Sequence, residues 1–201
     1  MKKIVITLGR QFGSGGRVIG QRVAQELGIL YYDKELLTRA AKESGISEDL
    51  FHSNDEKPTN SLLYSLAMSN FSGEMPLNHR IFLAQFDVIK QIAHEGSCVI
   101  VGRCADYALR DEPGCANVFV HAPLEYRIKR GVEEYGLPEK NARGIILRTD
   151  KQRANYYNFY TNKKWGSAES YGLSVDSSSI GADGCVKLIK DYALIKSESG
   201  L

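Results

Sequence analysis

The sequence predicts an α/β fold: a parallel sheet of five strands, covered by helices on both faces in three layers. Three observations carry that expectation. Short apolar runs rich in β-branched residues alternate with longer stretches of helical periodicity, the order that parallel strands and crossover helices produce. A glycine-dense loop joins the first strand to the first helix. Finally, 201 residues without a repeat, a low-complexity linker or a clear domain boundary suit one domain with a sizeable core.

Residues 4–8 form the first apolar run and read as a buried strand. After the loop, Val18, Ile19, Val23, Ala24 and Leu27 recur at helical spacing, and Gly28 closes that helix. Residues 29–32 read as a second strand, with Asp33 placed to cap the next helix. Residues 34–95 are mostly helical. Polar turns at residues 52–60 and 69–78, marked by Pro58, Gly73 and Pro76, interrupt them. Residues 97–101 and 117–121 read as strands, and Pro123 opens a helix through about residue 134. A long basic, tyrosine-rich helix is expected over residues 141–160, a last strand over 171–175 and a closing helix from Gly184 to about Lys196. Tyr156, Tyr157 and Tyr160 share helical spacing and read as packing residues, with Trp165 as an anchor in a small cluster.

Composition narrows the function classes. The chain is 43% hydrophobic and 25% charged with a formal net charge of +2, ordinary values for a soluble globular protein. A pI near 8.3 is too weak a basic bias to assign nucleic acid as a partner. No apolar stretch approaches the roughly 18 residues that span a bilayer. The N-terminal apolar run is too short for a signal peptide and meets a glycine-rich loop instead of a cleavage site. Cys98, Cys104, Cys115 and Cys185 form no CxxC pair, and His52, His79, His94 and His121 lie at no ligand spacing. The cysteines read as reduced, buried thiols, and no metal site is assigned. All of this suits a cytoplasmic protein with no membrane partner; the oligomeric state stays open.

The strongest motif is the segment Gly9-Arg10-Gln11-Phe12-Gly13-Ser14-Gly15-Gly16-Arg17, with four glycines in eight residues. Backbone N–H groups approach a phosphate closely only where side chains are absent. The helix that follows offers unpaired N–H groups and a positive dipole end to the same anion. The segment departs from the common phosphate loop GxxxxGK[ST]. Gln11 takes the first glycine position, Arg17 replaces lysine, and Val18 replaces the serine or threonine that binds Mg²⁺. Arginine keeps the charge but presents it as a planar fork.

Further motifs line up with this loop in order. They are Tyr31-Tyr32-Asp33-Lys34-Glu35-Leu36, Val101-Gly102-Arg103, Asp150-Lys151-Gln152-Arg153 and Lys164-Trp165-Gly166 with Tyr171-Gly172-Leu173. Together they resemble the cytidylate-kinase-like family of P-loop nucleoside monophosphate kinases over nearly the whole chain. The resemblance implies a P-loop NTPase-type core, a helical acceptor-binding insert over about residues 38–94 and a lid over about residues 127–165. It implies ATP and Mg²⁺ as cofactors and a nucleoside monophosphate as substrate. Gly13, Ser14, Gly15, Gly16, Arg17 and Val18 would then cradle the donor phosphates. Asp33, Arg39, Arg103 and Asp150 would bind substrate, with Arg39 and Arg103 on the acceptor phosphate. Arg17, Arg127, Arg130 and Arg153 would converge on the moving phosphoryl group. The aspartate that follows the family's Gly-Arg is Cys104 here. Mg²⁺ would bridge the donor phosphates chiefly through waters, with Ser14, Asp106 or Asp150 as its nearest protein groups. Three readings stay open: a kinase for CMP or dCMP, a P-loop kinase for another small acceptor, and a nucleotide-binding regulator without turnover.

Overall fold

The computed structural model describes residues 2–56 and 75–199. Five strands, β1 (Val5–Arg10), β2 (Leu30–Tyr32), β3 (Cys98–Val101), β4 (Ala116–His121) and β5 (Leu173–Asp176), form one sheet. All pairings are parallel, in the spatial order β2-β3-β1-β4-β5. The helices among the described residues are α1 (Gly16–Leu27), α2 (Glu35–Ser44), α3 (Glu48–Asn54), α4 (Leu77–Glu95), α5 (Ala105–Ala108), α6 (Leu124–Tyr135), α7 (Ala142–Thr161) and α8 (Ser177–Ser199). β1 lies centrally, between β3 and β4. The chain crosses to one side of β1 through β2 and β3 and then to the other, so the direction of winding reverses beside β1. In such sheets the crevice at the carboxyl ends of the strands at that reversal is where ligands gather.

The period of two along the strands divides the core. Ile6, Leu8, Val99, Val101, Val118 and Val120 face α1 and α8, packing with Ile19, Val23, Val186 and Ile189. Val5, Cys98 and Ile100 face the other way, onto Leu36 and Leu37 of α2, Phe51 of α3 and Val88, Ile89 and Ile92 of α4. Burying each of these side chains stabilises the fold by roughly 1.5–3 kcal/mol before entropy is charged against it. A third cluster ties α4 to α7. The Tyr160 ring stacks on Phe82 with centroids 3.9 Å apart, and the Tyr156 hydroxyl donates to Gln85 at 3.0 Å. Trp165 meets Phe119 edge-on at 5.2 Å. The tyrosines and the tryptophan thus pack as their spacing predicts.

The four cysteines are free and buried. Burial pushes the Cys98 and Cys115 thiols up to about 12, which makes them poor nucleophiles at neutral pH. Among the described residues no helix is long and apolar enough to cross a membrane.

Three local expectations need correction. Asp33 does not cap α2: Lys34 holds the cap position, and the Asp33 carboxylate pairs with Arg17 and Arg103 instead. β5 begins at Leu173, because Tyr171 precedes it with its ring against Phe119. The last helix begins at Ser177, ahead of Gly184. Asp176 accepts the Ser178 N–H at 2.8 Å and starts the turn, while Gly181, with non-helical backbone angles, kinks it. Four serines and glycines in that first stretch carry no apolar periodicity to read. Of the breaks expected in the long helical region, Pro76 stands ahead of α4. Pro58 and Gly73 lie outside the described residues.

Candidate active site

The segment between β1 and α1 turns at the strand's carboxyl edge and opens into a cleft of about 360 Å³. Gly13 and Gly15 make the turn with φ of 82° and 80°, a region that costs L side chains roughly 1–2 kcal/mol. Space is as restrictive as conformation. A Cβ on Gly13 would lie 2.7 Å from the Arg127 carbonyl oxygen, and one on Gly15 would lie 3.2 Å from the Arg130 guanidinium. Among the described residues, the N–H groups of Gly13, Gly15, Arg17 and Val18 meet no acceptor. These unpaired donors, at the positive end of α1, are the elements of an anion cradle.

The rest of the loop is braced from behind. The Ser14 hydroxyl donates to the Gln11 carbonyl at 2.8 Å and accepts the Gly16 N–H at 3.4 Å. Ser177 donates to the Ser14 carbonyl at 2.7 Å, and the Gln11 side chain accepts the Ala122 N–H at 3.1 Å. The Phe12 peptide is gripped on both sides. Its N–H donates to Asp150 at 2.7 Å, and its carbonyl accepts from Arg127 at 3.1 Å. Arg127 and Asp150 are themselves paired at 2.5 Å and nearly buried. Arg127 and Asp150 thus stand one layer behind the cleft, fixing the loop. Both Asp150 oxygens and the Ser14 hydroxyl are taken up in this scaffold.

The facing wall is built from arginines and carboxylates. Arg103 follows β3 in a left-handed conformation, φ 53°. Its buried guanidinium pairs with Asp33 at 3.2 Å and forks onto Asp55 at 3.1 and 2.9 Å. Arg17, more than half exposed, reaches Asp33 at 2.9 Å from the loop side. Arg10 and Arg153 both hold Glu56, at 2.7 and 3.0 Å, and Arg153 lies over the Phe12 ring at 5.8 Å. Burial pushes the Glu56 carboxyl up, but the charges of Arg10, Arg153 and Arg103 more than reverse this and hold it well below the usual carboxylate range. Arg130 packs beside Gly15 and pairs with Glu134 at 2.5 Å. Its Nε is buried without a partner among the described residues.

The structure therefore brings Gly13, Gly15, Gly16, Arg17, Asp33, Arg103 and Arg153 to one cleft; Ser14 is buried behind the loop, Val18 lies in the first turn of α1 outside the cleft lining, and Arg130 packs beside Gly15. It does not bring Arg39 there. Arg39 sits on the outer face of α2, bonded to Glu43 at 2.8 Å and to Glu95 of α4 at 2.5 Å, and it clamps two helices together. Arg10, Asp55, Glu56 and Ser177 also belong to the site but were not assigned roles from sequence. Asp55 and Glu56 fall in a polar turn, where an acidic dipeptide reads as solvated. Only the unusual number of arginines expected at the site hinted that carboxylates would be needed to balance them.

The chain is similar to known proteins over nearly its whole length. The cytidylate kinase of Methanopyrus kandleri is 23% identical over 196 residues, covering 93% of this chain and 91% of that protein. The cytidylate kinase of Aeropyrum pernix is 27% identical over 183 residues, covering 90% and 94%. Among solved structures, an uncharacterized protein from Eubacterium ventriosum is 28% identical with a TM-score of 0.72, covering 95% of this chain and 98% of that one. Shikimate kinase from Bacteroides thetaiotaomicron shares the fold at 12% identity and a TM-score of 0.56, covering 94% and 97%. With residues 5–179 matching the family profile, the chain belongs to the cytidylate kinase-like family.

Proposed function

We propose that the protein transfers the terminal phosphoryl group of ATP to a nucleoside monophosphate, CMP or dCMP foremost. One observation carries the reading: unpaired backbone amides of the β1–α1 loop, those of Gly13, Gly15 and Arg17, lie at a cleft whose other wall is lined by arginines. In the reaction an acceptor phosphate oxygen attacks the γ-phosphorus, the bond from that phosphorus to the β,γ-bridging oxygen breaks, and ADP leaves. Such chemistry needs positioning and charge neutralisation more than covalent help from the protein. Gly13, Gly15, Arg17 and Val18 would hold the donor phosphates through their amides, with Ser14 and Gly16 shaping the loop. Arg17 and Arg130 would neutralise charge on the donor side. Asp33 and Arg103 would face the acceptor, and Arg153 would stand between the two. Arg127 and Asp150 are positioning residues, acting through the Phe12 peptide. Residues 38–94 would supply the acceptor-side insert and residues 127–165 the lid, whose closure excludes water.

The cradle suits a polyphosphate, since its amides are unpaired and the loop packs too closely on Arg127, Arg130 and Arg10 to carry side chains at Gly13, Gly15 and Gly16. Mg²⁺ would arrive on the donor phosphates and neutralise part of their charge. Among the described residues no three His, Cys, Asp or Glu side chains gather to hold it, and Asp106 is engaged by the Tyr157 hydroxyl at 2.6 Å.

The placement of Arg39 favours one second reading, a kinase for another small acceptor, because the arginine expected at the monophosphate is elsewhere. An assay of purified protein with ATP, Mg²⁺ and a panel of monophosphates decides between them. ADP formation that depends on CMP or dCMP supports the first reading. Turnover with a different metabolite and none with nucleotides supports the second. ATP binding without turnover on any acceptor refutes both.

A further inference from the structure

We infer that Arg10, Arg103 and Arg153 form an anion subsite occupied by the protein's own Glu56 carboxylate, which a phosphate of the acceptor must displace. The inference rests on the proposed kinase reading for the identity of that acceptor, but not for the displacement itself.

The donors around Glu56 are those a phosphate takes. Arg10 reaches Oε1 at 2.7 Å and Oε2 at 3.4 Å with its two terminal nitrogens. Arg153 Nε reaches Oε2 at 3.0 Å, and the backbone N–H of Arg103 reaches Oε1 at 3.4 Å. A guanidinium fork fits carboxylate and phosphate oxygens alike. The position is shielded, with the Glu56 side chain only 12% exposed, yet it borders the cleft into which the loop amides open. Gly102 makes room for it. A Cβ at that position would overlap both Arg10 Nη1 and Glu56 Oε1.

Charge makes the two occupants exclusive. Clustered, poorly hydrated guanidiniums need a counter-anion, and Glu56 supplies one when no substrate is bound. A phosphate beside a retained Glu56 would meet a like charge at contact distance. The segment carrying Glu56 can yield. Glu56 itself has φ 50°, an uncommon conformation for a non-glycine residue. The helix before it has seven residues and buries only Phe51, the kind of thinly packed element that opens locally at low free energy. Exchange of Glu56 for phosphate would leave Asp33 on Arg103, keeping that guanidinium oriented.

Two readouts test this with inorganic phosphate as the probe. Titration calorimetry should show Glu56→Gln binding phosphate more tightly than wild type by about tenfold or more, because nothing charged need be displaced. Glu56→Asp, which keeps the carboxylate, should stay near wild type. In the wild type, saturating phosphate should raise amide hydrogen exchange over residues 48–56. Binding of phosphate without that rise overturns the inference, as does E56Q affinity within about twofold of wild type or no phosphate binding by either protein. If E56Q does not fold, the wild-type exchange experiment decides alone. Neither readout involves turnover. Displacement without ADP formation refutes the kinase reading and keeps this one; CMP-dependent ADP formation without displacement does the reverse.

Discussion

The two walls of the cleft solve the same electrostatic problem in opposite ways. On the loop side the donors are backbone amides, left unpaired while the loop is braced by Ser177, the Gln11 side chain and the Arg127–Asp150 pair. On the strand-edge side the donors are guanidiniums, and Arg10, Arg103 and Arg153 are already paired with carboxylates of the same chain. A peptide dipole can stay unpaired at a solvated helix start at little cost, whereas a buried full charge cannot. One wall is therefore preformed, and the other must change partners when an anion arrives.

The comparison breaks most visibly if the brace is removed. Asp150→Ala strips the counter-charge from buried Arg127 and the acceptor from Phe12 N–H, and should cost about 3 kcal/mol in urea denaturation. A loss below about 1 kcal/mol, the range of exposed pairs, would show that the loop is not held from behind. Gly13→Ala should leave the arginine wall intact yet weaken ATP binding about thirtyfold, from the strain at positive φ and contact with the Arg127 carbonyl. Fluorescence titration with an ATP analogue measures it. Arg17→Ala should lower ATP affinity about tenfold, the lower end for a charge-assisted bond. Its melting temperature should hold, since that side chain is mostly exposed.

Acid should act on the arginine wall through Glu56. The folded-state Glu56 carboxyl is depressed, so its stabilisation is present above its unfolded value of about 4.3 and fades as pH falls from there. Urea midpoints measured between about pH 5 and pH 3 should fall more steeply for wild type than for Glu56→Gln. Parallel curves would mean Glu56 is not the paired carboxylate described. The smallest effect belongs to Arg39→Ala. It should cost at most about 1 kcal/mol and leave the acceptor KM unchanged. A raised acceptor KM would return Arg39 to the site.

Much of this architecture is legible in the sequence, and the legible parts share a physical cause. β1, β3 and β4 are largely apolar runs with β-branched residues, mostly buried on both faces, so composition marks them. The loop announces itself because glycine adopts the φ of positions 13 and 15 without the strain other residues incur. Arg103 could be placed because it follows a strand that reads clearly. What escaped were contacts between residues far apart in the chain. Nothing local says that Asp150 reaches back to Phe12, 138 positions away, or that Glu56 folds onto Arg10 and Arg153. Arg39 shows the converse. The family resemblance implies a place for it at the acceptor phosphate, but Glu43 on its own helix and Glu95 on α4 offer carboxylates, and it turns toward them.

The central claim is that bare amides of the β1–α1 turn grip the donor's phosphates. Titrating isotope-labelled protein with MgATP and following backbone amide resonances tests it most directly. The account predicts that Gly13, Gly15, Arg17 and Val18 show the largest shifts, saturating together with ATP binding. ATP that binds while those four signals stay in place would contradict it.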